Sequence, residues 1–230
     1  MSETGPPPEP FYAPFEAPYR MRMGLSGFAP QDWLEFDAER VEQLGLKRRL
    51  LGERRDEVLR ALPGSEAAQA ELLAFLAAHL VRHHPEHYRL EGERIVVLGL
   101  DESLPLGDDR RSPLERSALL VQEDLCLMQR QEGVWRLTAA AVCFPTRWQL
   151  ASKMGLALDA IHGPVPGFEA RLAQPVARFF DHLGAERPVQ RLNWSLLDTP
   201  ELFLPSGHGR TEADPTITAE NAGDKVWLRA

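Results

Sequence analysis

Hydrophobic residues recur at three- and four-residue spacing between Ser65 and His84, which is the clearest helical pattern in the chain. Ser65 is suited to the N-cap of this helix, and Pro85 ends it. Residues 29–62 show a weaker helical pattern, and the charge run that begins at Lys47 is most simply a solvated face with local ion pairs. In the helix over 65–84, one apolar stripe contains Leu72, Phe75, Leu76, His79, Leu80 and His83.

After Pro85 the pattern changes to short alternating runs that are typical of strands. Residues 87–100 predict two strands around a Glu-Gly turn, and residues 101–116 predict a loop. Residues 117–145 contain three strand-like pieces, with Gln131-Glu132-Gly133 as a hairpin connection. A helix is predicted over 146–162 and a further helix or helix pair within 167–184, followed by strands within 188–198 and 225–230. This order predicts an α+β fold, in which helices lie in the connections of an antiparallel sheet.

Length and charge set broad limits on what the chain can be. We expect 230 residues to form one domain over 11–230, preceded by a disordered, proline-rich lead over residues 1–10. A net charge of −8 argues against a nucleic-acid binder, and no apolar run is long enough to cross a membrane. Cys126 and Cys143 are too few for a disulfide framework, so we expect buried thiols and a cytoplasmic protein.

The familiar catalytic motifs are absent from the sequence, including the P-loop, GxGxxG, GxSxG, HExxH and CxxC. His79 and His83 stand four residues apart, with His84 and His87 close behind, as zinc ligands on a helix can. No companion cysteine or carboxylate completes such a set, so packing and the helix dipole explain these histidines better. The acids Glu123 and Asp124 lie in an apolar strand context, where one of them is expected to face inward and be paired.

His162 is the residue whose surroundings leave two interpretations open. It ends the 146–162 segment and precedes Gly163 and Pro164, which make a stiff helix exit. A histidine held there is partly desolvated, as a metal or haem ligand must be. It can equally be a helix-end histidine that only bonds a carbonyl group or complements the dipole.

The chain resembles the haem-dependent oxidative N-demethylases over roughly residues 11–229. The central block of the resemblance is CFP-x-x-W, then K-x-G, then IH-x-PVP, in that order along residues 143–166. Further stretches that fit the family are PYRMRMGL, ELLAFLAAHLVRHHPEHY, LVQEDLCLM and RLNWSL.

The resemblance implies a PAS-like fold that binds haem b, with His162 as the axial iron ligand. It also implies an oxidoreductase, a monooxygenase that uses O2 to remove a methyl group from a small secondary amine such as dimethylamine. Electrons would come from a partner reductase that carries FMN and a 2Fe-2S cluster. The resemblance leaves the catalytic residues unassigned. Candidates for the pocket wall or for pairing with the haem propionates are Lys153, Arg147, Trp148, Arg191, Asn193 and Trp194.

The family pattern continues beyond the strand that ends this sequence, so we expect the chain to lack the family's C-terminal segment. A homodimer or another partner chain could cover the sheet edge left there. The alternative function is a haem- or ligand-binding PAS-like subunit without turnover, which acts as a sensor or an interaction module.

Overall fold

The computed structural model of the protein describes residues 25–100, 102–107, 110–163, 173–184, 187–191, 195–206 and 216–229. The helices are α1 (Arg40–Glu53), α2 (Arg55–Val58), α3 (Glu66–His83), α4 (Pro113–Ala118), α5 (Leu158–His162), α6 (Ala173–Asp181) and α7 (Ala222–Lys225). The strands are β1 (Leu25–Gly27), β2 (Leu59–Ala61), β3 (Tyr88–Glu91), β4 (Arg94–Val97), β5 (Glu102–Pro105), β6 (Leu125–Gln131), β7 (Val134–Ala141), β8 (Val189–Arg191), β9 (Ser195–Leu197) and β10 (Trp227–Arg229).

The α+β prediction is confirmed, and the named strands of the described ranges pair in antiparallel fashion. Two sheets have three strands, in the orders β2-β7-β6 and β3-β4-β5, and the pairs β1-β8 and β9-β10 form small ribbons. The PAS-like comparison stays a prediction.

The β6–β7 hairpin turns where the sequence predicted. Glu132 and Gly133 have φ values of 51° and 82°, so both adopt the left-handed conformation that a tight two-residue hairpin requires. Farther along, Leu127 pairs with Ala139 whereas Met128 pairs with Leu137, which leaves Thr138 as an extra residue on β7. This β-bulge changes the face on which the following side chains lie.

Side chains of β7 alternate between two apolar clusters on opposite faces of the sheet, and the bulge places Leu137 on the same face as Ala140. Ala139, Ala141 and Cys143 join the main core, which α1, α3 and α4 also build. A second cluster forms on the opposite face around Leu137, Ala140, Val142 and Leu150, and Met128, Trp148, Met154 and Ile161 pack against it. The second cluster lies next to the candidate site.

Helix α3 confirms the predicted helix. Its N-cap hydrogen bond and its buried face differ from the prediction. Ser65 occupies the N-cap position, but its hydroxyl group donates to the carbonyl O of Leu62 and accepts from the Gln69 amide instead of capping the backbone. Phe75 is 60% exposed, whereas Leu73 and Ala77 are buried. The buried face is therefore rotated relative to the predicted stripe, because the neighbouring elements decide which side is covered.

The prediction of a loop over 101–116 was wrong. Leu104 is fully buried and pairs with Ile95, which makes β5 a third strand beside β3 and β4. Helix α4 follows within the same segment, with Ser112 as an N-cap whose hydroxyl accepts from the Glu115 backbone N–H. The polar and proline residues around Leu104 hid this strand from pattern analysis.

The interpretation of the charge run as a solvated face was wrong for Lys47, which has no exposed surface. Its ammonium group donates to the backbone carbonyl groups of Val121, Gln122 and Glu123. Burial lowers the pKa of Lys47, although the nearby Asp124 carboxylate acts in the opposite direction. Lys47 thus anchors α1 to the segment that enters β6.

Within the described ranges, no helix is long and apolar enough to cross a membrane.

Candidate functional site

The strand that leads into the candidate site is held by a half-buried carboxylate. Asp124 accepts hydrogen bonds from the backbone N–H groups of Cys143 and Phe144, at 2.7 and 3.0 Å. Burial raises the pKa of Asp124, and these two bonds and Lys47 oppose that effect. The expectation that one acid of the Glu123-Asp124 pair faces inward and is paired is confirmed. Cys143 is a buried thiol, as expected, whereas Cys126 is exposed.

The predicted helix over 146–162 was wrong, because the segment runs mostly as turns before α5. Arg147 has a φ of 62°, and its N–H donates to the carbonyl O of Leu204 over 2.7 Å. A short 3-10 turn covers Leu150–Ser152, and Gly155 then adopts a φ of 75°. Left-handed residues interrupt an α-helix, so only the last turns of the predicted helix form.

The backbone of this segment returns to the edge of β7. The Gly155 N–H donates to the carbonyl O of Leu137 over 2.8 Å, and the Leu137 N–H donates to the carbonyl O of Leu156 over 3.1 Å. The Arg136 guanidinium also donates to the carbonyl O of Gly155. These bonds satisfy backbone groups that helix formation would have satisfied otherwise, and they place α5 beside the sheet.

His162 is the last residue of α5 and is half-buried. Its Nδ1 lies 2.8 Å from the carbonyl O of Leu158. A carbonyl oxygen can only accept, so Nδ1 carries the proton and the lone pair of the neutral ring lies on Nε2. Metal-binding histidines are oriented by the same kind of hydrogen bond.

Lys153 and Trp148 lie together at this end of the segment. The Lys153 ammonium group donates to the carbonyl O of Ile161, and its Nζ lies 5.7 Å from the centroid of the Trp148 ring. The first contact complements the C-terminal end of α5, and the second is a cation–π distance. Trp148 and Ile161 also pack on the second apolar cluster. The structure therefore brings His162, Lys153 and Trp148 to one neighbourhood.

The remaining predicted site residues are not joined to that neighbourhood by a described contact. The Arg147 side chain is exposed, and its backbone bonds Leu204. Arg191 lies on β8 and lines a separate surface cavity of about 470 Å³, together with Trp33 and Phe179. Asn193 and Trp194 lie outside the described residues.

A cavity of about 220 Å³ opens between the β6–β7 hairpin, α5 and α6. Leu158 of α5, Val176 and Ala177 of α6 and the Trp135 ring line it. The indole Nε1 of Trp135 is buried, and no partner accepts from it in the described part of the chain. Sequence analysis missed Trp135, because a tryptophan in the strand VWRL shows nothing that distinguishes a site from a core.

The chemistry of these residues is compatible with the haem that the family resemblance implies, with His162 as the residue that would hold the iron. The His162 ring has the tautomer that a ligand needs, and the adjoining cluster is rich in methionine and aliphatic side chains. The orphan Trp135 donor and the Lys153 cation are groups that can bind carboxylates such as propionates. Haem iron takes its axial ligand from a single side chain, so no larger cluster of ligands is required.

The histidines near the end of α3 pack against aromatic rings. The His79 ring meets Trp33 edge to face at a centroid distance of 5.1 Å, and Phe36 meets His84 in the same way at 4.7 Å. Burial lowers the pKa of His79 to about 4, and the neighbouring His83 and His84 add to the effect. Across the described ranges, no group of three or more His, Cys, Asp or Glu residues is arranged to hold a metal ion.

Comparison with known proteins agrees with the block of residues that leads to His162. The sequence profile of one family matches residues 24–230, which is most of the chain and includes every described residue. The chain belongs to the family described as haem-dependent oxidative N-demethylase, alpha subunit-like.

Proposed function

We propose that this chain binds haem b through His162 and carries out the oxidative N-demethylation of a small secondary amine, with dimethylamine as the reference substrate. The observation that carries the proposal is the hydrogen bond between His162 Nδ1 and the Leu158 carbonyl O, in a chain of this family. The family description names an α subunit, so we propose that the chain works with further components. One of them is a reductase that carries FMN and a 2Fe-2S cluster.

In this proposal, the bound haem supplies the activation of O2, which no amino-acid side chain provides. His162 would hold the iron through Nε2, while the Leu158 carbonyl fixes the ring orientation. Lys153 fixes the last turn of α5 by its bond to Ile161. The second apolar cluster, against which Met128, Met154 and Ile161 pack, would exclude water from the side of the site that α5 forms.

Cationic and donor groups at the edge of the site are proposed to bind the propionates. Trp135 Nε1 and the Lys153 ammonium group are the described candidates. Arg147, Arg191, Asn193 and Trp194 keep the role that the family resemblance implies for them, in the pocket wall or at the propionates. Their contribution is testable one residue at a time by the haem content of each variant.

The reaction balances with one O2 and two electrons from the reductase. One oxygen atom is inserted into a methyl C–H bond of dimethylamine, and the other leaves as water after taking up two protons. The hydroxymethyl amine then breaks at its C–N bond to give methylamine and formaldehyde. The reductase must therefore supply two electrons for each formaldehyde released.

The test is formaldehyde release by protein reconstituted with haemin. NADPH, ferredoxin reductase and ferredoxin supply the electrons, and dimethylamine is present or omitted. We expect formaldehyde that depends on haem, on O2 and on dimethylamine. Full haem occupancy and reduction without formaldehyde would instead support the binding subunit without turnover, whereas a protein that takes up no haemin would contradict both functions.

A further inference from the structure

A second cavity lies away from α5, against the face of α3 that meets α4. Its volume is about 410 Å³, which is within the range of roughly 300–1,000 Å³ that small-molecule sites occupy. The lining contains two charged residues, Arg82 and Arg116. The remaining lining residues are apolar, and α3 contributes most of them, including Ala70, Ala74 and Ala78.

The cavity exists because α3 carries alanines where a helix packed against its neighbours would carry larger residues. Ala70, Ala74 and Ala78 follow one another at four-residue spacing, so their methyl groups lie in one row along the helix. Leu90 of β3 borders the same space and is 52% exposed. An apolar occupant would bury this surface.

Arg116 is the observation that points to a charged ligand. Its side chain is buried, with 4% of the residue exposed, and its Nη1 donates to the carbonyl groups of Pro105 and Gly107. These bonds fix the plane of the guanidinium group. Its Nε is buried and has no acceptor, and no described carboxylate forms an ion pair with the group. A buried cation without an anion is costly, so a ligand carboxylate would supply the anion that no described residue provides.

We propose that this cavity binds an aliphatic monocarboxylate, whose chain lies along the alanine row of α3 and whose carboxylate binds Arg116 and Arg82. Two arginines in an otherwise apolar lining favour a ligand with one anionic head and an apolar tail. The site is separate from the proposed haem site, because its lining comes from α3, α4, β3 and the segment around Leu106.

Calorimetric titration of the full-length chain with octanoate tests the proposal, with octanol and acetate as probes that lack the head or the tail. We expect octanoate to bind with a stoichiometry near one, and octanol and acetate to bind about tenfold more weakly or worse, as expected when a charge-assisted hydrogen bond or the apolar contact is lost. No saturable octanoate binding, or octanol binding as tight as octanoate binding, overturns the proposal.

Four variants locate the site. Ala74→Leu fills the cavity and is expected to weaken octanoate binding about tenfold or more, whereas Ala68→Leu, on a face of the same helix that does not line the cavity, leaves it unchanged. Arg82→Gln removes the exposed cation and is expected to weaken binding without disturbing the core. Octanoate binding that Ala74→Leu leaves intact, or that His162→Ala abolishes, places the ligand elsewhere and overturns the proposal.

Discussion

The Lys153 ammonium group donates a hydrogen bond to the carbonyl O of Ile161, the residue before His162. The bond joins the turn after the 3-10 helix to the last turn of α5, and the same ammonium group lies over the Trp148 ring. Two consecutive residues of α5 are therefore fixed from different directions, Ile161 by Lys153 and His162 by Leu158.

Replacing Lys153 with Met is expected to loosen the last turn of α5, because the ammonium donor is lost while most of the apolar stem remains. We expect the free energy of unfolding to fall by about 1–2 kcal/mol, together with weaker haem binding. Chemical denaturation and haemin titration measure the two effects. Lys225→Met is the matched control, since Lys225 also donates to a backbone carbonyl, that of Thr216, but at an exposed position. Equal effects of the two changes would contradict the positioning role of Lys153.

Replacing Lys47 with Met is expected to be much more damaging, because three buried carbonyl groups lose their shared donor. Breaking such a buried polar network costs about 3–5 kcal/mol, which is a large part of the stability of a single domain. The measurement is the free energy of unfolding in urea. Arg49→Met, on an exposed position of α1, serves as the control and should change it by less than about 0.5 kcal/mol. A Lys47→Met protein as stable as the control would show that these bonds contribute little.

The histidines at the end of α3 predict a loss of stability at acid pH. The unfolded chain takes up a proton at the ordinary histidine pKa of 6.5, whereas folded His79 stays neutral down to about 4. Between these values the unfolded state binds more protons, so the free energy of unfolding falls as the pH falls. Burial lowers the pKa of His84 and His87 as well, which adds to the effect in the same direction.

The variant His79→Phe keeps a ring beside Trp33 and removes the titrating group. Each unit of pKa difference is worth about 1.4 kcal/mol, so we expect His79→Phe to remove about 3 kcal/mol of the acid-dependent loss. Urea unfolding at a series of pH values measures the slope. The control His182→Phe changes an exposed histidine and should leave the slope as it is. An unchanged slope in His79→Phe would exclude His79 as its cause.

Two glycines are expected to respond to alanine with opposite signs. Gly155 has a φ of 75°, and a Cβ there would lie 3.4 Å from a Leu62 methyl group, so Gly155→Ala should cost about 1–2 kcal/mol. Gly45 lies within α1 with no heavy atom near its added Cβ, so Gly45→Ala should gain about 0.5–1 kcal/mol. Thermal unfolding of both variants measures the difference. A Gly155→Ala protein as stable as Gly45→Ala would show that the left-handed backbone at position 155 does not require glycine.

Local patterns predicted the parts of the fold in which local preference and tertiary packing agree. Helix α3 and the β6–β7 hairpin are of this kind, since apolar spacing and the Glu132-Gly133 turn each point to one conformation. Helix formation over 146–162 was predicted from apolar spacing, yet Gly155 bonds to β7 instead. Pattern analysis could not anticipate this edge pairing, because it depends on a strand that lies nearly twenty residues earlier in the sequence.

The candidate site likewise contains some residues that the sequence could identify and others that it could not. His162 was identifiable from its helix exit and from the family block around it, and Lys153 and Trp148 do lie close to one another. Arg191, which the resemblance grouped with them, lies on β8 beside another cavity, and its role stays a prediction. The orphan donor of Trp135 and the burial of Lys47 depend on what surrounds each side chain, which no spacing rule encodes.

The most direct test of the central claim is the absorption spectrum of the protein after haemin titration, in the native chain and in two histidine variants. His162→Ala removes the proposed ligand, and His182→Ala removes an exposed histidine whose Nδ1 makes the same contact with the carbonyl four residues earlier. The account predicts a stoichiometric Soret band in the native chain and in His182→Ala, with a loss or a shift of the band in His162→Ala. An unchanged Soret band and unchanged haem affinity in His162→Ala would contradict it.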